Sequence, residues 1–267
     1  MKIVTWNINS VRLRLSNLGR LVEELDPDVI CLQETKAHDD VFPTIGIAAL
    51  GYPHQAISGM KSYNGVAILS RLPLADVSTR SWCGREDCRH VHATLPDGTE
   101  IHSVYIPAGG DIPDPEANPK FAHKLQFLDD LAAWSRTLAH APNAKTARRI
   151  LVGDLNVAPL ETDVWSHKQL LKIVSHTPIE VEKFTAAQAA GGWIDAVRDI
   201  VPPEERLYSW WSYRSPKWDE ADKGRRLDHI WISEAMRPHL VDAHIHRAAR
   251  GWDLASDHVP VSVTLKD

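Results

Sequence analysis

The sequence predicts an α/β fold, a single layered domain over residues 1–267 with helices flanking the strands. Three observations predict it. Short β-branched runs alternate with turns in both halves of the chain, and helical patterns interrupt them. Several of the runs are apolar on both faces, as strands buried between layers are. No shift in composition divides the 267 residues into two, so both halves feed one core.

The elements follow in order. Lys2–Trp6 (KIVTW), Asp28–Leu32 (DVICL), Val66–Leu69 (VAIL), Ile101–Ile106 (IHSVYI), Ile150–Val152 (ILV), His229–Ile232 (HIWI) and Val259–Leu265 (VPVSVTL) read as strands. Ser10–Glu24 reads as a helix, with Val11, Leu15, Leu18, Leu21 and Val22 at helical spacing. Phe121–Ala139 reads as a second, carrying Leu125, Leu128, Leu131, Ala132 and Leu138 behind Pro119. A third is expected over Asp163–Val174. Ala108–Lys120, Ala141–Arg149 and Ser215–Gly224 read as loops.

Composition excludes whole classes. With 43% hydrophobic and 24% charged residues the chain is neither disordered, collagen-like nor a coiled coil. No run approaches the roughly 18–20 apolar residues that span a bilayer. The opening MKIVTWNINS turns polar too early for a signal peptide, and it lies so near the first strand that no N-terminal regulatory extension is expected. Three cysteines, an odd number, fit a reducing compartment, so an intracellular, cytoplasmic protein is expected. Cys83 and Cys88 lack a second Cys/His pair at zinc-finger spacing. A net charge of −5 argues against a protein that coats nucleic acid, but not against one with a local basic groove.

Polar residues recur where strands end: Asn7 in WNIN, Gln33 and Glu34 in LQETK, Tyr105 in VYIP, Asp154 and Asn156 in GDLN, Asp228 in RRLDHI, and Asp257 and His258 in SDHVP. A carboxylate after a strand is usually a turn former or a cap. Six such positions together supply what a hard-metal hydrolase needs. Mg²⁺ takes oxygen ligands, and Glu34 is the foremost candidate, with Asp257 and Asn7 beside it. No His pair at helical spacing points to zinc. Asp154 can take a proton from a water or orient it, and Asn156, two residues on, would share its face. His258 can donate to a phosphoryl oxygen or act as base, with Asp228 fixing its tautomer. Tyr105 can donate to phosphate. The remaining histidines, His244 and His246 among them, read as packing or surface residues.

WNINS, LQETK, YIP, GDLNVAP, YSWWSYR, RRLDHI and SDHVP, in this order from Met1 to about Leu265, resemble the exonuclease III family of apurinic/apyrimidinic endonucleases, within the endonuclease/exonuclease/phosphatase superfamily. GDLN and SDH mark the superfamily; YSWWSYR and GDLNVAP are specific to the branch. The resemblance implies a four-layer, deoxyribonuclease I-like sandwich of two packed mixed β-sheets between helices. It implies hydrolysis of the phosphodiester 5′ to an abasic site, often with 3′→5′ exonuclease and 3′-phosphatase activity, by a monomer that needs Mg²⁺, with Mn²⁺ as a substitute. It implies a metal neighbourhood of Asn7, Glu34, Asp154, Asn156 and Asp257. It also implies a catalytic set of Tyr105, Asp154, Asn156, Asp228 and His258.

The expected partner is duplex DNA with abasic sites or blocked 3′ ends, and no membrane. Arg214, Lys223, Arg225 and Arg226 are its candidate contacts, as are Lys36, Lys61 and the Lys145, Arg148, Arg149 group. Trp210 and Trp211 are candidates for a pocket that accepts a sugar without its base. Two positions depart from the family. Ala108 in YIPAGG stands where an asparagine is usual, and Arg225 in GRRLD where a tryptophan is usual. Two other readings stay open: a related phosphoesterase acting on RNA 3′ ends or phospholipid, and an inactive DNA-binding relative.

Overall fold

The computed structural model describes residues 1–266. Two six-stranded sheets form its centre. The first takes the order β11 (Leu240–Ile245), β12 (Val261–Leu265), β1 (Lys2–Asn7), β2 (Val29–Gln33), β4 (Val66–Ser70), β3 (His54–Ser58). The second takes β5 (Ala75–Thr79), β6 (His90–Thr94), β7 (Glu100–Tyr105), β8 (Arg149–Asp154), β10 (Asp228–Ile232), β9 (Ile194–Asp195).

Each sheet holds one parallel pair, β1 with β2 and β7 with β8; every other pairing is antiparallel. Parallel neighbours need a crossover. The Leu15–Leu25 helix crosses from β1 to β2, and the Pro119–Ala139 helix from β7 to β8. Two strand–helix–strand units thus face each other, one per sheet.

Alternation along the strands builds the layers. Ile3, Val29, Cys31 and Ile68 of the first sheet meet Val91, Ile101, Ile150, Val152 and Ile230 of the second in one buried core. Each such aliphatic side chain contributes about 1.5–3 kcal/mol on burial. The opposite parity faces outward: Val4, Trp6, Ile30 and Leu32 pack on Leu18 and Leu21 of the first helix. Val104, Leu151 and Trp231 pack on Phe127, Leu128, Leu131 and Phe184. The order helix, sheet, sheet, helix is the four-layer sandwich expected.

The differences from expectation have local causes. The first helix starts at Leu15, because residues 11–14 form turns. Asp163–Val174 is not a helix: a short 3-10 turn at Glu161–Asp163 ends where it begins, and it holds one helical turn at His167–Leu170. The third long helix is Pro178–Gly191. Thr177 Oγ1 caps it by accepting from Glu180 N, and the Glu180 carboxylate accepts from Thr177 N in return.

Candidate active site

The carboxyl ends of β1, β2, β7 and β8 open onto the same rim. Asn7 closes β1, and Glu34 follows β2 in the left-handed region, at φ 49°. Tyr105 ends β7 in register with Asp154, which ends β8 and also pairs with Asp228 of β10. Asp257 and His258 lead into β12, where His258 bridges to Trp210. Residues from both ends of the chain therefore line one cavity of about 790 Å³, among them Glu34, Tyr105, Asp154, Asn156, Asp257 and His258.

Three hydrogen-bonded arrangements hold these groups. Asn7 Nδ2 donates to Glu34 Oε1 at 3.0 Å and to Asp154 Oδ2 at 2.9 Å, tying a residue of each sheet to β1. Tyr105 donates its hydroxyl to Glu34 Oε1 at 2.7 Å. His258 Nδ1 donates to Asp228 Oδ2 at 2.8 Å, which leaves Nε2 facing Asp154 Oδ2 at 3.6 Å and Asn7 Nδ2 at 3.4 Å. The backbone of His258 is pinned as well, its carbonyl accepting from Trp6 Nε1 at 3.1 Å.

Charge and burial set the protonation states. Burial alone would raise Glu34. Lys36, at 2.7 Å from Oε2, with the Asn7 and Tyr105 hydrogen bonds, outweighs it and holds the carboxyl below its usual value. Asp154 is pushed up to about 7, mainly by burial. His258 is buried too, but Asp228 and Asp154 beside it prevail and raise it to about 10, so the imidazole is cationic at neutral pH. Burial, then the Glu34 and Asp154 charges, keep Tyr105 a neutral phenol.

The donor set suits a hard cation. Glu34 and Asp257 offer carboxylate oxygens at the rim, and the ammonium of Lys36 already sits against Glu34. Asp154, Asp228 and His258 also lie within 4.8 Å of one another. Within that trio His258 Nδ1 and Asp228 Oδ2 are already hydrogen-bonded to each other at 2.8 Å. Asn7 sits between the two sheets' carboxylates. Its Nδ2 donates to two carboxylates and its Oδ1 accepts from Asn9 N at 3.1 Å, so here it braces Glu34 and Asp154.

Asn156 reaches the cavity by another route than strand alternation. It lies beyond the end of β8 with φ 53°, its Nδ2 donating to Ile106 O at 2.9 Å. Beneath it the buried Lys124 ammonium donates to Asn156 O at 2.6 Å and pairs with Glu180.

The expected DNA contacts divide. Trp210, Arg214, Lys223 and Arg225 line the cavity. Trp210 Nε1 donates to Asp257 Oδ2 at 3.0 Å, and the Arg225 guanidinium lies over its ring at 5.2 Å. Arg226 is a correction. It is 1% exposed, and Asp163 and Asp195 occupy its guanidinium, so no phosphate can reach it. Trp211 is another: it packs in the outer core of the first sheet, with Nε1 spent on Asp222. Lys145, Arg148 and Arg149 stand at the start of β8, the opposite end from Asp154, and Arg149 is bound to Glu100. Sequence reasoning missed Ser209, which donates to Asp228 Oδ2 at 2.6 Å and so holds the carboxylate that holds His258. Its place in YSWWSYR was the available signal.

An acidic rim bearing a carboxylate–imidazolium pair, at one edge of a two-sheet sandwich, suits a metal-dependent hydrolase. Residues 4–258 match the model of the endonuclease/exonuclease/phosphatase family, and the chain belongs to that family. It is similar over its whole length to exodeoxyribonuclease III of Haemophilus influenzae, with 28% identity covering 100% of both chains. Two solved structures superpose with a TM-score of 0.90 at 31% identity, each covering 100% of both chains: an AP endonuclease from Archaeoglobus fulgidus, and the 3′ phosphatase NExo from Neisseria bound to product DNA hairpin. The chain is a hydrolase of the nuclease branch of this metal-dependent family.

Proposed function

We propose that this chain is a Mg²⁺-dependent DNA repair nuclease that hydrolyses the phosphodiester 5′ to an abasic site and trims blocked 3′ ends. The observation that carries the reading is the cluster itself: Glu34, Asp154 and His258, from three distant segments, line one cavity beside Trp210 and Arg214.

Glu34 and Asp257 would hold the ion. When bound, it neutralises phosphoryl oxygen charge as a Lewis acid. The residues supply the rest. Asp154 takes a proton from the attacking water, because burial has raised its basicity towards neutrality. His258 is the acid of the pair: its Nδ1 proton is committed to Asp228, and its cationic Nε2–H is free for a phosphoryl oxygen. Asn156 has a second Nδ2 hydrogen for the same oxygens, and Tyr105, whose one hydroxyl hydrogen goes to Glu34, positions that carboxylate. Arg214 and Lys223 attract the backbone at the mouth, so binding should weaken with salt. An abasic sugar has no base to unstack and enters the cavity at less cost than an intact nucleotide.

Within this reading, the 3′-phosphate ends are favoured by Arg225, a cation at the cavity where the resemblance leads one to expect an indole.

The test is a duplex with one tetrahydrofuran site, next to an undamaged duplex and a 3′-phosphate end. Nicking at the lesion should need Mg²⁺ and stop in excess chelator. Full activity in chelator would refute the metal. Binding without turnover on every substrate would make the chain a DNA-binding relative.

A further inference from the structure

A second constellation lies on the far side of the second sheet, between it and the Pro119–Ala139 helix. On β6 the residues His90 and His92 point outward; on β7 so do Glu100 and His102, while Val91 and Ile101 between them point into the core. His92 and His102 are register partners on neighbouring strands. A cavity of about 210 Å³ opens over them, lined also by Trp134, Ser78 and Arg80.

The open atoms there are metal-ligating. One atom each of His92, Glu100 and His102 falls within 4.8 Å of the others. His102 is 6% exposed, yet among the described residues its Nε2 has no hydrogen-bond partner, and neither has the buried Nε2 of His92. An imidazole nitrogen buried without a partner costs stability unless something occupies it.

The other ring nitrogens are already braced as ligands require. His102 Nδ1 lies 3.0 Å from His90 Nε2, and His92 Nδ1 lies 3.4 Å from Ser78 Oγ. Donating outward through Nδ1 leaves each Nε2 lone pair for an ion, the usual support behind metal-bound histidine. Arg149 Nε fixes Glu100 Oε2 at 2.9 Å. Burial keeps His90, His92 and His102 below the usual histidine range, so all three rings are neutral at pH 7. Tetrahedral ligands around zinc sit about 3.3 Å apart, so modest side-chain movement closes the set.

We propose that His92, His102 and Glu100 form a second metal site, for a zinc-class divalent ion, remote from the nuclease centre and independent of the nuclease reading. Two imidazoles and one carboxylate suit zinc, cobalt or nickel and disfavour Mg²⁺. The ion would link the neighbouring strands β6 and β7 under the helix.

The experiment uses the intact chain carrying Glu34→Gln, in excess Mg²⁺, titrated with Zn²⁺ and with Co²⁺ as a spectroscopic probe. One equivalent of Zn²⁺ should be retained, and Co²⁺ should give the intense visible bands of a tetrahedral site. Adding His92→Gln, at a half-buried position, or Glu100→Gln should weaken binding at least about tenfold. It should also remove the bands while circular dichroism stays unchanged. On the wild-type background neither change should alter lesion cleavage in Mg²⁺. No retained equivalent in Glu34→Gln, or retention untouched by His92→Gln and Glu100→Gln, would overturn the site.

Discussion

Two charge clusters, one closed around Arg226 and one open around Asp228, are built to opposite ends. In one, Asp163 and Asp195 face Arg198 and Arg226, two carboxylates for two guanidiniums, with hydrogen bonds directed from each arginine. Charge closes there. In the other, Glu34, Asp154, Asp228 and Asp257 form ion pairs, among the described residues, only with Lys36 and His258, while Arg214, Lys223 and Arg225 line the cavity without pairing to them. Charge is left over, at the edge of a cavity. Leaving carboxylates incompletely neutralised costs stability. A fold keeps such an arrangement where a cation or a reaction makes use of it. The closed cluster is structural, and the open one is where chemistry is expected.

That difference is most directly broken at Asp154. Asp154→Asn removes the proton acceptor and keeps the shape. Cleavage of the tetrahydrofuran duplex should fall about 10³-fold, about 4 kcal/mol of barrier, while the thermal midpoint holds or rises because a buried charge is gone. His258→Ala should lose a similar factor. Single-turnover rates beside calorimetry decide the matter, and a rate within tenfold of wild type would end the role of that residue. The closed cluster should respond in the reverse sense. Arg226→Met leaves Asp195 without its strongest partner and should cost about 3 kcal/mol in urea unfolding, with the rate per folded molecule unchanged.

Acid sharpens the contrast. Burial would raise Asp163 and Asp195, but Arg226 foremost, with Arg198 at Asp163 and His229 at Asp195, overcomes it, so both carboxyls titrate below their usual range. A group depressed in the folded state stabilises above its unfolded pKa, about 4, and that stabilisation is lost as pH falls from there towards the folded value. The stability gap between wild type and Arg226→Met should therefore be flat from about pH 5 to 7 and shrink below about 4. Urea midpoints at stepped pH measure it, and a gap constant down to pH 3 would deny the ion pairing its role.

The same contrast explains what could be read in advance. The open cluster was legible because each member ends or begins a strand inside a short motif, so local sequence marks it. The closed one was not. Arg226 looks like part of a basic surface run, since its partner Asp163 is 63 positions away and nothing local says that the two meet. Asp163 in turn was misread as opening a helix, whereas its carboxylate is spent on arginines. The Pro178–Gly191 helix carried a readable start in Thr177 and Glu180, but its alanine-rich body gives little periodicity. β5 was missed because every residue in it is exposed, so no alternation marks it. The outward histidines of β6 and β7 were taken for packing, because only the pairing of His92 with His102 brings them together.

The smallest expected effect concerns Arg225, which lies between the clusters: next in the chain to Arg226, but lining the cavity of the open one. Its Nη1 donates to Val174 O at 2.9 Å and to Ser175 Oγ at 2.8 Å, and its plane covers Trp210. Part of its charge is thus used to shape the wall, and the remainder faces the substrate. Arg225→Trp would exchange a cation for an indole against the same ring. An uncharged sugar should then bind as well or better, while a 3′-phosphate loses an attraction worth about 1 kcal/mol at such partial exposure. The ratio of lesion nicking to 3′-phosphate removal should move about fivefold towards nicking, read as paired kcat/KM values on the two substrates. If the ratio stays put, Arg225 belongs with Arg226 as a structural residue, and the boundary between the two clusters runs on the cavity side of it.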